Sequence, residues 1–380
     1  MVFRETDEIA IMRPALPDAD RIHRFLSKID ENRWYSNHGP LVIELETKIS
    51  NHFGLKRENV VTVSNGTLAL AVALRCQVNA PGYCLVPAWT FVGCAHAVNL
   101  SGLKPFLCDV SPDTGQFTVK EAFNAIEKSP GPVRAVLPVG LFGEPLPTEE
   151  WQQFEQETGV KVVFDCAAGF DTFLPSSPPG MISLHATKLF SAGEGALLIT
   201  TNGDLADNMR RATNFGFSVN KVSEHWGLNA KMSEYAAAVA LADFDYLPHK
   251  REQLFSRAKY YREAISNFEG VELQKGFGRD WIATFLNVWL EKPNAPEIIK
   301  NFTKHRIESR LWWGRGLHHH PEFHKLDRMN LSVTNKLAPS FLGLPFWMDL
   351  PLTDIDHVVS TFQKFLEEEL LIRKKNKLPP

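Results

Sequence analysis

The sequence predicts an α/β protein: a three-layer α/β/α large domain with a mostly parallel sheet, followed by a smaller C-terminal α/β domain. Three observations predict it. From Leu41 to about Ala212 short β-branched runs alternate with helical periods, the pattern of a sheet covered by helices on both faces. From Ser233 to about Asn267 the pattern changes to a long helical stretch interrupted by Pro248. The chain's 380 residues also exceed one domain at roughly 150 residues each. The division is placed after residue 247, giving an N-terminal helix with the large domain over 1–247 and a connector helix with the small domain over 248–380.

Taken in order, Asp18 to Ile29 reads as a helix ahead of the sheet, and the loop Trp34 to Pro40 leads into the next element. Val60 to Val63, Cys84 to Pro87 and Pro105 to Val110 read as strands, with a helix at Thr67 to Gln77. A helix at Val119 to Lys128 precedes a strand at Arg134 to Val139, and a helix at Glu149 to Glu157 precedes a strand at Lys161 to Cys166. Ile182 to His185 and Ala196 to Thr200 complete the large sheet. Beyond Gly270, the strand Thr284 to Leu290 alternates with helices at Pro296 to Glu308 and Asp354 to Glu369.

Composition narrows the function. Hydrophobic residues make up 44% and charged residues 22%, which excludes global disorder, collagen and coiled coil. Lys+Arg 41 against Asp+Glu 44 leaves −3, so neither a nucleic-acid nor a membrane-surface partner is indicated. The one cationic cluster, Arg373, Lys374, Lys375 and Lys377, reads as a solvated tail. The five cysteines, Cys76, Cys84, Cys94, Cys108 and Cys166, contain no C-x-x-C pair, and reduced thiols of a cytoplasmic protein are expected. None falls where the expected chemistry needs it. The charged N-terminus is unlike a signal peptide, and no apolar stretch is long enough to span a bilayer.

Three segments could carry chemistry. In Ser64-Asn65-Gly66-Thr67 a strand turns directly into a helix, whose unpaired N–H groups would hold an anion; the same residues also read as a plain N-cap. The segment is neither a Walker loop nor a G-x-G-x-x-G turn. Asp165 closes a strand at the edge where open α/β sheets bind ligands, or else caps the next turn. Lys188 lies among small and apolar residues before Gly193-Glu194-Gly195. Desolvation there would prepare it for Schiff-base chemistry, whereas alone it also reads as a surface lysine. Together with Trp89 and Ser183, these are the parts that hold pyridoxal 5'-phosphate (PLP): donors for the phosphate, a ring to stack on, a carboxylate for the ring nitrogen and an amine for the aldehyde.

With those motifs the chain resembles the DegT/DnrJ/StrS group of sugar aminotransferases, PLP enzymes of fold type I, from about Trp34 to Phe365. Ser64-Asn65-Gly66-Thr67 resembles the phosphate loop, and Pro138 to Pro145 resembles the loop after the next sheet strand. Val86 to Val92 resembles the segment that stacks on the cofactor ring. The resemblance implies that Asp165 pairs with the pyridine nitrogen, that Gly66, Thr67 and Ser183 hold the phosphate, and that Lys188 bonds the aldehyde. Gly227-Leu228-Asn229-Ala230-Lys231-Met232-Ser233-Glu234 resembles a stretch whose Asn reaches the partner subunit's phosphate, so Asn229 implies a homodimer with shared active sites. Gly316 to Pro321 resembles the piece near the sugar, giving His318, with His185, as substrate candidates. His320 and His324 stand four apart without a third ligand, so no metal is expected.

The implied activity is ping-pong transfer of an amino group from L-glutamate to a keto group of a nucleotide-linked sugar. A sugar dehydratase and a non-catalytic regulatory protein are the alternatives. Dehydratase relatives tend to replace the lysine, so Lys188 argues against that reading. Ala168 departs from the family's Gln or His beside the cofactor's phenolic oxygen. Lys221, Arg310 and Arg315 are candidates for the pyrophosphate, although structural ion pairs would use the same residues.

Overall fold

The computed structural model describes residues 8–376. The charged stretch before residue 8 and the side chains of the basic cluster at 373–377 lie outside the described residues. The sheet strands are β1 (Val60–Val63), β2 (Tyr83–Pro87), β3 (Lys104–Cys108), β4 (Val133–Val136), β5 (Lys161–Val162), β6 (Phe164–Asp165), β7 (Gly180–Ser183) and β8 (Ala196–Ile199). They form two four-stranded ladders, β3-β2-β4-β5 and β1-β8-β7-β6. The ladders join at Val163, because its N–H reaches the Val136 carbonyl and the Asp165 N–H reaches that of Pro138. Thus β5 and β6 are halves of one expected strand.

Pairing is parallel between β2 and β3, β2 and β4, β4 and β5, and β6 and β7. Strand β8 runs antiparallel to both β7 and β1. The expectation of a mostly parallel sheet holds, with β8 as the reversed strand. Two reversals leave β1 parallel to β7, so β1, β2, β4, β6 and β7 all end on one edge. That edge is where an open α/β sheet places its ligand.

Helices α1 (Ala19–Asn32) and α2 (Pro40–His52) precede the sheet, and α3 (Gly66–Gln77), α4 (Val92–Leu100), α5 (Val119–Lys128), α6 (Thr148–Thr158) and α7 (Gly203–Ala212) alternate with its strands. Successive strand residues bury on opposite faces. Val61, Val63, Val86 and Leu198 join Ala69, Ala95 and Met209 from α3, α4 and α7 in one core. Val60, Leu85, Val162 and Leu197 join Leu45, Ala122 and Trp151 from α2, α5 and α6 in the other. Helices therefore cover both faces, as the sequence alternation predicts. The sequence reading omits α4 and α7; α4 is too uniformly apolar to show a helical period.

Helix α8 (Glu234–Ile265) runs unbroken through Pro248, where a break was expected. Proline removes one helical hydrogen bond and normally kinks the helix. Here burial on both sides over-determines the conformation: Asp243, Leu247, Lys250 and Leu254 are all buried. Lys250 Nζ donates to both carboxylate oxygens of Asp243 at 3.0 Å across the proline, and Asp243 also accepts from the Ser191 N–H at 2.8 Å. Burial raises the Asp243 pKa, against the opposing charge of Lys250. Residues 247 and 248 lie inside this helix. Beyond it, β9 (Val271–Leu273), β10 (Leu286–Leu290) and β11 (Phe341–Leu344) form an antiparallel sheet in the order β11-β10-β9, with α9 (Ala295–Lys304), α10 (Ser332–Leu337) and α11 (Leu352–Asn376).

Lys250→Met would leave Asp243 buried without its cation, which costs about 3–5 kcal/mol. Denaturant unfolding of the cofactor-free protein should show a loss of that size, and adding Asp243→Asn should restore a large part of it.

Candidate active site

Four chain segments meet where the co-directed strands end. Asp165 closes β6, Ser183 closes β7, Gly66 opens α3 just after β1, and Trp89 to Phe91 link β2 to α4.

Asp165 is 5% exposed. The Ala167 N–H donates to Oδ1 at 3.0 Å and the Cys94 thiol donates to Oδ2 at 3.0 Å. Burial pushes its pKa up, while the thiol, the Ala167 amide and the charge of Lys188 hold it down. An ionised carboxylate so placed favours a cationic partner. Lys188 is half-buried, with Nζ 4.7 Å above the Phe285 ring. Burial lowers its pKa from 10.5 to about 8, opposed only by Asp165. The snorkelling alternative is set aside by that placement. The amine is prepared to act as a nucleophile or base.

The anion end is built by α3. Asn65 is the cap, accepting from the Leu68 N–H at 2.9 Å. The first-turn N–H groups of Gly66 and Thr67 have no carbonyl partner within the helix. A Cβ at Gly66 would lie 3.2 Å from Met181 Sδ and 3.8 Å from Ser183 Cβ, so the helix start abuts the end of β7. Ser183 Oγ accepts from the His185 N–H at 3.2 Å and retains its own proton for an anion. Ser64 N–H binds the Ala230 carbonyl at 2.8 Å, which ties this loop to the Asn229 segment.

Trp89, expected to stack on the cofactor ring, lies in the core. It is 2% exposed and packs against Trp289, Trp313 and Phe341 at centroid distances of 5.7, 5.7 and 5.1 Å. Its ring is held among these three aromatics. Phe91 is 59% exposed, and a Cβ at Gly93 would meet Phe91 Cδ1 at 3.0 Å and Thr67 Oγ1 at 3.2 Å. The ring beside the anion-binding helix start is therefore Phe91. The segment Trp89-Thr90-Phe91 thus offers two aromatics, one buried and one exposed.

Cys94, a thiol expected to fall outside the positions the chemistry needs, contacts Asp165 directly. No local pattern signals it, since 71 residues separate the pair. His185 shares Nδ1 with Thr187 Oγ1 at 2.9 Å and lies 3.7 Å from the Glu194 carboxylate. His318 Nε2 and His319 Nε2 both approach Asn335 Oδ1, at 3.0 and 3.2 Å, and the neighbouring Leu317 N–H binds the Ala88 carbonyl at 2.7 Å. Asn229 is exposed and accepts from Lys231 Nζ at 2.7 Å. Ala168 packs beside the aromatic cluster of Phe142, Phe285 and Phe341, so an apolar wall stands where a polar side chain was expected. Arg310 stacks on Trp312 at 5.1 Å. Among the described residues no three His, Cys, Asp or Glu side chains group to hold a metal ion, and no helix is long and apolar enough to cross a membrane.

A buried carboxylate in the field of a lysine, with the start of α3 on the same sheet edge, offers one partner each to a PLP ring nitrogen, aldehyde and phosphate. Such an edge is the one used by PLP-dependent transaminases of fold type I. The chain belongs to the DegT/DnrJ/EryC1/StrS aminotransferase family, whose model matches residues 18–363. It is 27% identical over 372 residues to Protein Mb3436c of Mycobacterium bovis, covering 94% of this chain and 90% of that protein. To the dTDP-4-amino-4,6-dideoxy-D-glucose transaminase of Shigella dysenteriae it is 25% identical over 371 residues, covering 94% and 98%. The crystal structure of DesI in the presence of its TDP-sugar product superposes with a TM-score of 0.85 at 26% identity, covering 97% of this chain and 96% of that one. The same fold, with a TM-score of 0.80 at 22% identity, holds PMP in NtdA from Bacillus subtilis, covering 92% and 82%.

Because only the neutral amine attacks an aldehyde, PLP capture by the cofactor-free protein should accelerate as pH rises through about 8, the Lys188 value. A folded pKa below the unfolded one also means the folded state binds fewer protons above pH 8, so the Lys188 contribution to stability grows as pH rises through that window. Stopped-flow absorbance of PLP binding, and melting compared with Lys188→Met, check the two effects. A capture midpoint in the ordinary lysine range would contradict this environment.

Proposed function

We propose that this transaminase moves the amino group of L-glutamate onto a keto group of a nucleotide-linked sugar, as a cytoplasmic homodimer in amino-sugar and polysaccharide synthesis. The observation that carries the reading is the lysine with a lowered pKa in the field of Asp165, at an edge able to bind phosphate. Relatives named dTDP-4-amino-4,6-dideoxy-D-glucose transaminase and GDP-perosamine synthase support a 4-keto-6-deoxy acceptor, with a 3-keto isomer as the second candidate. The dehydratase alternative is disfavoured by Lys188.

PLP supplies an electron sink and carries the amino group between the two substrates. Asp165 keeps the ring nitrogen protonated by its charge, and Gly66, Thr67 and Ser183 neutralise the phosphate with N–H and O–H donors. Phe91 offers a face to the ring. Lys188 would hold the resting cofactor, and as a free amine would take the proton from the donor's Cα and deliver it to the cofactor's C4'. The acceptor half repeats these roles in reverse.

The dimer reading rests on the apolar surface near Asn229. Phe215, Phe217, Val219 and Val222 are 44%, 38%, 97% and 55% exposed, a grouping that a second copy of the chain would cover. Asn229 would then face the neighbouring phosphate.

Lys188→Ala should abolish turnover and remove covalent fixation of the cofactor by borohydride. With glutamate and a panel of nucleotide-linked keto-sugars, initial rates should give parallel double-reciprocal lines. Intersecting lines, showing that both substrates bind before any product leaves, would overturn the scheme. Val219→Asp with Val222→Asp should give a monomer by light scattering. The monomer should bind PLP about tenfold more weakly, the scale of one hydrogen bond to a charged group.

A further inference from the structure

Thr90, Cys94 and Asp165 are 1%, 1% and 5% exposed, so water does not compete for their contacts. Cys94 Sγ lies 3.0 Å from Asp165 Oδ2 and 3.3 Å from Thr90 Oγ1. The thiol carries one hydrogen, and an ionised carboxylate can only accept. The proton on sulfur therefore points at Asp165, and the Thr90 hydroxyl donates to the sulfur. The other carboxylate oxygen is held by the Ala167 N–H, which no side-chain substitution removes. Among the described residues Cys94 is thus the one side-chain donor to Asp165, placed by the first turn of α4.

The choice of sulfur has a consequence. A thiol is a weaker donor than a hydroxyl. It orients the carboxylate while withdrawing little of its charge, and so leaves it basic. A basic, oriented carboxylate is what keeps a pyridine nitrogen protonated. We infer that Cys94 is a positioning residue of the transaminase, setting the orientation and basicity of Asp165 through the Thr90–Cys94–Asp165 relay. This rests on the assignment of Asp165 to the ring nitrogen. Of the other cysteines, Cys84 and Cys108 donate to main-chain carbonyls, of Leu85 and Phe106.

The first test needs no cofactor. In the infrared spectrum of cofactor-free protein, the S–H stretching band lost in Cys94→Ala should lie at the strongly hydrogen-bonded end. It should move toward the free-thiol position in Asp165→Ala. A band at the free-thiol position in the unaltered protein overturns the relay. The second test uses holoenzyme. Cys94→Val should weaken PLP binding by about tenfold, the scale of a hydrogen bond to a charged group. It should also raise the pH midpoint of the bound cofactor's visible absorbance change by about one unit. Cys94→Ser, which restores a donor, should recover affinity to within about threefold. The inference fails if Cys94→Val binds and titrates like the unaltered enzyme, or if Cys94→Ser behaves like Cys94→Val, which would mark a packing role. If Cys94→Val does not fold, Cys94→Ala takes its place. Asp165→Asn separates the two levels. Lost affinity there with none lost in Cys94→Val defeats only the relay, whereas unchanged affinity and midpoint in Asp165→Asn defeat the assignment of Asp165 itself.

Discussion

The buried charge of Asp165 is the constraint around which the site is arranged. A carboxylate at the end of a central strand is costly to ionise there, and each neighbour answers that cost in part. The Ala167 amide and the Cys94 thiol supply donors, Lys188 supplies a field, and the reciprocal burial of Lys188 lowers its own pKa. Two groups that would each be ordinary in water are thereby shifted toward each other, the acid upward and the amine downward. The residual demand of the carboxylate for a cation is one that a protonated pyridine ring would satisfy.

The scaffold transmits this arrangement through helix α8. Glu234, at its first position, is buried and accepts from the Leu41 and Val42 N–H groups at 2.7 and 3.0 Å. It thus places a charge at the positive end of α2. Ser233 caps α8 itself, and Asp243 reaches the loop after Lys188 through Ser191. The segment from Gly227 to Glu234, which resembles a family motif, therefore has local work independent of any partner. Gly227 lies where a Cβ would strike the Gly216 amide at 2.2 Å, and Met232 packs beside Gly195 of the turn after the lysine.

Much of the large sheet was legible because strands buried on both faces are short apolar runs between turns, as at Val60–Val63 and Ala196–Ile199. What was not legible shares one physical cause: tertiary contacts overrode local pattern. Pro248 reads as a break, yet burial and an ion pair carry the helix through it. Lys161 to Cys166 reads as one strand, yet Val163 changes ladders midway. At the site, Asp165 and Ser183 lie at strand ends and Gly66 and Lys188 in the segments that follow strands, which adjacency along the chain can reveal. Trp89 and Phe91 could be told apart only by their burial. Cys94 stood in an unread helix, far in sequence from the carboxylate it serves.

The aromatic wall beside Lys188 has one feature more. Phe142 and Trp313 stack at 4.2 Å, and both have left-handed backbone, with φ of 53° and 60°, a region that bulky residues rarely adopt. Phe142 in turn packs on Phe285, the ring beneath the lysine amine. One ring contact thus joins two turns of left-handed backbone. A guest that parted the two rings would release two loops at once instead of widening the pocket by degrees. A sugar admitted beside that wall would, on the proposed reading, be sorted by outline before any hydrogen bond is made.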